Sequence, residues 1–338
     1  MPPRPAFLTF AAFITITLIF SVYRPSWPAA DINALDPLPD GQSRRAYATF
    51  YSTHMVSDDL PDPYFTATRV LAWQLLHRPE TRMKHTLPFL VLVPPHVSAG
   101  RRAILEKDGA IVVPVANLTP SNNWATPGQE RWADQFTKLR LFEQTRWDRI
   151  LYIDNDMLLT KPLDDIWDEP AAMHVMKTKE RPVGVAEAPL EPPANYLLSG
   201  VTDNGGWEHP VPPSGEGMLN GGFLMLRPDK ELFNYYVDKL NTPGSFDSGM
   251  MEQSLLNSVH DRAGRMPWQG FPPGKWNANF PMLKDVANGA ATLHDKFWDA
   301  GNKGDIDREL VEMWFRIQGQ MEGFWIAKGR GEAVVKAA

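Results

Sequence analysis

The stretch Arg-Ile-Leu-Tyr-Ile-Asp-Asn-Asp-Met-Leu-Leu, Arg149 to Leu159, constrains this chain more than any other. Ile150, Leu151, Tyr152 and Ile153 form a short apolar run rich in β-branched and aromatic residues, which suits a buried central strand better than a turn of helix. The run stops at Asp154-Asn155-Asp156. In extended backbone, residues i and i+2 point to the same side, so both carboxylates can converge on one point. Two acids at the mouth of a hydrophobic strand repel each other and lose hydration, so something positive is expected between them. Oxygen ligands select hard cations such as Mg2+ or Mn2+, which also take oxygens from phosphates. The plain alternative is an acidic pair capping a loop. A second copy of the spacing, Asp305-Ile306-Asp307, follows Gly-Asn-Lys-Gly with no strand leading into it, and reads as a solvated turn.

A length of 338 residues allows one large domain or two small ones, with ample material for a core. The formal charge of −6 gives no basic footprint, so nucleic acid is not an expected partner. Cysteine is absent, which excludes disulfides, a thiolate nucleophile and Cys-based zinc sites. Ala6 to Val22 carries no charge over 17 residues and is flanked by Arg4 and Arg24. That is the lower limit for a membrane-spanning helix and slightly long for a signal-peptide core. An uncleaved anchor is favoured over a removed signal peptide, with small residues at Ala29-Ala30 allowing cleavage. The flanking charges do not fix the orientation. No later run is comparably apolar, so the remainder is expected to be a lumenal, type II domain. The expected organisation is an anchor over 1–24, a Pro- and Asp-rich stem over 25–43, a folded domain over 44–328 and a frayed tail over 329–338. Asn117-Leu118-Thr119 is an N-glycosylation acceptor, disfavoured by Pro120.

Strands are expected at Tyr47–Thr53, Phe89–Val93 and Ala110–Val115, and helices at Tyr64–Leu76 and Ser98–Lys107. A further helix is expected over Glu130–Thr145, with Trp132, Phe136 and Leu139 on one face. Such alternation implies an α/β fold with a parallel sheet covered on both sides, binding ligands off the carboxyl ends of its strands. Leu190 to Gly217 is crowded with Pro and Gly and reads as a loop, either a mobile acceptor-facing one or a surface insertion. Met218–Leu226 reads as a strand whose Asn220-Gly221-Gly222 suggests backbone closely approached by a ligand or another chain. Helices follow at Asp229–Leu240 and Met251–Val259, then a loop-rich stretch over Gly264–Pro281.

Five segments occur in order: Tyr-Ala-Thr-Phe-Tyr-Ser-Thr at 47–53, Thr-Lys-Leu at 137–139, Tyr-Ile-Asp-Asn-Asp-Met-Leu-Leu at 152–159, Leu-Asn-Gly-Gly-Phe at 219–223, and Gly-Ser-Phe-Asp…Glu-Gln-Ser-Leu-Leu-Asn at 244–257. A sixth, His294 with Lys296 and Trp298, matches in part. Together they resemble the family 8 retaining glycosyltransferases, the group that includes glycogenin and several Golgi hexosyltransferases. The small fungal-type Golgi enzymes that extend glycoproteins, some described as N-acetylglucosaminyltransferases, are nearer in character than glycogenin. The resemblance implies a GT-A fold, Rossmann-like and mostly parallel with helices on both faces. It implies a UDP-sugar donor, Mn2+ (or Mg2+), a glycan or glycoprotein acceptor and a Golgi membrane location. Carried across, Asp154 and Asp156 would bind the metal and His294 would complete its shell. Phe50, Ser52 and Thr53 would contact uridine, with Asn155, Gly221 and Lys296 also in the donor site. Lys138 would reach the sugar or phosphates, and Asn220, Asp247, Glu252 and Gln253 would face the transferring sugar. Two departures stand out: His294-Asp295-Lys296-Phe297-Trp298 is shorter than the family's His-x-x-Gly-x-x-Lys-Pro-Trp, and Glu252 stands where glycogenin-like members have Asp.

Two other readings compete. One is a catalytically degenerate nucleotide-sugar or glycan-binding module of the same fold, supported by the altered His-Lys segment. The other is a metal-dependent phosphoesterase or nucleotidyltransferase, for which the chain lacks a Gly-Lys-Ser/Thr loop.

Overall fold

The computed structural model describes residues 43–53, 55, 57–183, 190–299 and 306–329. The expected anchor over 1–24, the stem as far as 42, the tail from 330 and Asp305 lie outside the described residues. Among the described residues, no helix is long and apolar enough to cross a membrane.

The strands, in chain order, are β1 (Arg45–Phe50), β2 (Phe89–Val93), β3 (Ile111–Pro114), β4 (Arg149–Ile153), β5 (Met157–Leu159), β6 (Met176–Lys177), β7 (Asn195–Tyr196), β8 (Leu198–Thr202), β9 (Leu219–Leu226), β10 (Gln269–Gly270), β11 (Asn277–Asn279) and β12 (Thr292–His294). The helices are α1 (Pro63–Leu76), α2 (Ala99–Lys107), α3 (Pro170–Met173), α4 (Lys230–Leu240), α5 (Met251–Val259), α6 (Leu283–Ala287) and α7 (Arg308–Ala327). The main sheet runs β10-β8-β9-β4-β1-β2-β3. Its β4-β1-β2-β3 half is parallel, as expected. β9 runs antiparallel to both β4 and β8, so the sheet is mixed rather than all parallel.

Both faces of that sheet are dry. Ala46, Ala48, Leu90, Leu92, Ile150 and Tyr152 pack into one buried cluster, while Tyr47, Phe89, Val91, Leu151 and Ile153 pack into another. That is why these strands read as continuous apolar runs: alternate side chains enter different cores, and neither set meets water. The helix starts are chemically marked. Pro63 opens α1 behind Asp62, whose carboxylate accepts from Tyr64 N and Phe65 N at 3.0 Å each. Ser98 caps α2 and Asp229 caps α4 in the same way.

Three expectations need correction here, and one helix was not foreseen. Glu130–Thr145 is two 3-10 segments, Glu130–Trp132 and Gln135–Glu143, not an α-helix. Phe136, Leu139 and Phe142, all buried, recur every third residue, the period at which a 3-10 winding aligns side chains. Leu190–Gly217 is not all loop, because Tyr196 to Val201 is buried and supplies β8. α7 was not anticipated; Leu310, Trp314, Ile317, Met321 and Trp325 form its buried face, packed with Ala67, Val70 and Trp73 of α1. Of the second Asp-X-Asp copy, Asp305 lies outside the described residues, and the described pair is not a solvated turn. Ile306 is buried, and Asp307 directly precedes α7 and accepts a bond from Leu283 N at 2.8 Å.

A small second sheet, β11-β12-β5, decides where chemistry can happen. β5 starts immediately after Asp156, and β12 pairs antiparallel with it, setting His294 opposite Met157. The last residue of β12 is thereby delivered beside the acidic pair.

Candidate active site

A cleft of about 720 Å³ lies off the carboxyl ends of β1 and β4. Asp154 and Asp156 both line it, and so does His294. One ligand atom from each of the three lies within 4.8 Å of the other two. His294 Nε2 is 3.0 Å from Asp156 Oδ1 and 3.8 Å from Asp154 Oδ2. The backbone has been cleared for this meeting. A methyl group on Gly222 of β9 would stand 2.5 Å from His294 Cε1 and 2.7 Å from Asp154 Oδ2. Expected close approach at these glycines is therefore real, but the approaching groups are side chains of the same chain.

Two lysines stand on either side. Lys138 Nζ is 3.0 Å from Asp154 Oδ1 and 2.7 Å from Glu252 Oε1, and Lys296 Nζ is 2.8 Å from Asp156 Oδ2. Burial opposes the charge on Lys138, but Asp154 and then Glu252 outweigh it, holding the ammonium above the ordinary lysine range. Burial pushes the Glu252 carboxyl up, and the lysine it shares with Asp154 only partly offsets that. Burial also works against an ionised Asp156, yet Lys296 and His294 hold it well below the usual carboxylate range. His294 loses charge to burial and regains more from Asp156, then Asp154, so its imidazole is raised. Tyr152 is buried, stays a phenol and donates to Asp154 Oδ1. Asp154, Asp156 and Glu252 face Lys138 and Lys296, an excess of one negative charge among these five groups.

The remaining expected residues divide. Asn220, Gly221, Gln253, Phe50, Ser52 and Thr53 line the cleft. Gln253 Oε1 accepts from Gly221 N at 2.7 Å, and Asn220 Oδ1 accepts from Gly222 N at 3.0 Å. The hydroxyls of the first-strand end are already engaged, Ser52 with Asp134 and His96, Thr53 with Asp62 at 2.6 Å. Asn155 also lines the cleft, but its side-chain amide is directed to Thr68 Oγ1 at 2.9 Å and pins the turn between the aspartates against α1. Asp247 is not brought to the site. It is exposed, does not line the cleft, and accepts from Gly249 N at 3.0 Å in the turn before α5.

Sequence reading missed Asp203, Asp295 and Phe280, which also line the cleft. Asp203 repeats the logic of Asp154, an acid directly after a buried strand, but the Pro- and Gly-rich surroundings hid the strand. Phe280 sits at φ 54°, a left-handed conformation costly for a bulky residue.

No known family's sequence profile matches the chain. It is 30% identical over 310 residues to uncharacterized protein C5H10.12c of Schizosaccharomyces pombe, covering 82% of this chain and 80% of that protein. The chain belongs to that protein's family. Among solved structures, this family member is similar to the glycosyltransferase GlyE of Streptococcus pneumoniae TIGR4, at 15% identity and a TM-score of 0.46, covering 85% of this chain and 65% of that one. It is also similar to the galactosyltransferase LgtC bound to donor and acceptor sugar analogs, at 15% identity and a TM-score of 0.45, covering 81% and 95%.

Proposed function

We propose that this chain is a metal-dependent retaining glycosyltransferase of family 8 character. It moves a hexosyl or N-acetylhexosaminyl unit from a UDP-sugar to a glycan or glycoprotein acceptor. The observation that carries the reading is the convergence of Asp154, Asp156 and His294 beside Lys138 and Glu252 at the carboxyl ends of β1 and β4.

The donor set fits a divalent cation: two carboxylates and an imidazole, gathered where Gly222 leaves space. Asp154, Asp156 and His294 would hold Mn2+ or Mg2+, which when bound supplies positive charge to the departing diphosphate. In the transfer, the bond from anomeric carbon to diphosphate oxygen breaks and its electron pair leaves with UDP. The acceptor hydroxyl oxygen bonds that carbon on the face the diphosphate leaves, and its proton passes to the departing diphosphate oxygen, so the configuration is kept and the charge balances. Lys138, kept charged by two carboxylates, stabilises the developing negative charge. Glu252, buried against Lys138 at 2.7 Å, places a carboxylate near the carbon that becomes cationic. Asn220 and Gln253 supply fixed, uncharged dipoles around the sugar. A lumenal, Golgi-membrane orientation is part of the same reading, motivated by the uncharged run Ala6 to Val22. Accessibility of the folded domain to protease in intact microsomes would overturn that orientation.

The test uses the full chain with UDP-glucose, UDP-galactose and UDP-N-acetylglucosamine, following UDP release with Mn2+ present. One donor is expected to turn over, chelation to stop it and Mn2+ to restore it. Asp156→Asn should lower kcat by ~100-fold or more with an unchanged circular dichroism spectrum. Undiminished turnover by Asp156→Asn, or by a chelated sample, sinks the proposal.

A further inference from the structure

We infer that Asp203 is a positioning residue that fixes the amide orientation of both Asn220 and Gln253; the inference rests on the transfer reaction proposed above. Asp203 follows β8 and has intermediate burial at the cleft wall. Its Oδ2 accepts from Asn220 Nδ2 at 3.1 Å and from Gln253 Nε2 at 3.3 Å. Its Oδ1 accepts from Gly205 N at 2.9 Å. A carboxylate offers about four acceptor sites, so three are already filled by the protein itself.

The ends of an amide side chain are nearly the same shape, and its partners decide which way it points. An ionised carboxylate only accepts. Both amides must therefore turn their NH2 groups to Asp203, which sends their oxygens to Gly222 N and Gly221 N. Those N–H groups belong to consecutive residues of β9, and Gly222 O accepts from Asp154 N at 2.8 Å. One carboxylate thus sets two cleft-lining dipoles and the strand segment from which Asp154 hangs. Removing it frees both amides to flip, placing NH2 groups against N–H donors in a site where charge develops during reaction.

The experiment compares wild type, Asp203→Ala and Asp203→Asn in the full chain, with UDP-glucose, UDP-galactose or UDP-N-acetylglucosamine and Mn2+. Asp203→Ala is expected to lower kcat on the order of 30- to 100-fold with donor KM within about twofold of wild type. Asp203→Asn keeps one oxygen that can accept from both amides, so it should recover to within about fivefold of wild type. Equal losses in both variants, a loss confined to KM, or kcat for Asp203→Ala close to wild type each overturn the inference. Hydrogen exchange of the 15N-labelled side-chain amides supplies a readout that needs no turnover: slow exchange of the Asn220 and Gln253 NH2 hydrogens in wild type, fast in Asp203→Ala. Inactive wild-type protein with that exchange pattern would defeat the proposed function and leave the orientation role standing; equal exchange rates defeat the role. If Asp203→Ala does not fold, Asp203→Ser replaces it, with an intermediate kcat expected. Failure of both to fold would assign Asp203 to the fold alone and overturn the inference.

Discussion

At the level of single residues, the cleft is shaped as much by an absent side chain as by those present. Gly222→Ala would drive a methyl group into both Asp154 and His294. We expect the variant to fold but to bind Mn2+ ~10-fold or more weakly by isothermal titration calorimetry, and unchanged affinity would refute this account. A different residue governs pH behaviour away from the cleft. His260 is fully buried, faces Tyr236 OH at 2.6 Å and Met266 O at 2.7 Å, and burial pushes its pKa from 6.5 down to about 4. Between those values the unfolded chain takes a proton that the folded one refuses, so stability falls as pH drops from 6.5 to 4 and is intact above 6.5. The contribution is about 3 kcal/mol. Urea unfolding should show the gap between wild type and the less stable His260→Asn variant narrowing by that amount from pH 7 to pH 4. Asp154 and Asp156 were legible from chemistry alone, since an apolar strand ending in two acids needs a counter-charge. Asp203 carries the same logic but was hidden, because its strand is short and surrounded by residues that favour turns.

The elements show the same division. β2 and β4 could be read because buried parallel strands leave unbroken apolar runs, and α1, α2 and α4 because capping side chains mark their starts. The segment bearing Lys138 was misread, because Trp132, Phe136 and Leu139 fit an α period, while the buried aromatic and leucine side chains Phe136, Leu139 and Phe142 also fit the period of three that the backbone adopts. Met251, at φ 49°, lies in the left-handed region immediately before Glu252, and nothing in its side chain announces that backbone. α7 was overlooked despite its spacing. Its Trp314 is 1% exposed and stacks on Phe297, with ring centroids 5.9 Å apart. Truncating it in Trp314→Ala should cost about 3–5 kcal/mol in urea unfolding. A loss of about 0.5 kcal/mol or less, the size of an ordinary surface change, would mean that the helix is not held by this face.

Across the folded unit, the cleft lies where the main sheet hands over to the small one, the acidic pair following β4 and leading into β5. The parallel half of the main sheet was foreseeable. The reversed strand β9 was not, because an apolar run reveals a strand without any sign of its direction. A cation held by Asp154, Asp156 and His294 would tie both sheets together and bind only the folded chain. At 100 times its Kd it should therefore raise stability by about 2.7 kcal/mol. Thermal unfolding with and without Mn2+ checks this: the wild type should shift upward and Asp156→Asn should not. Equal shifts in both would place the cation elsewhere.

His294 reaches the cleft through a strand pairing three residues long, in which Thr292 faces Leu159 and His294 faces Met157. A chelating group borne on extended backbone inherits that backbone's parity. Deleting one residue between Ala291 and His294 would keep the composition of the neighbourhood almost intact and yet aim the imidazole at the wrong face, while a two-residue change would restore its heading at a displaced position. Tolerance to length change in this short ladder should therefore be odd–even rather than graded, a rhythm that a loop-borne ligand would not impose.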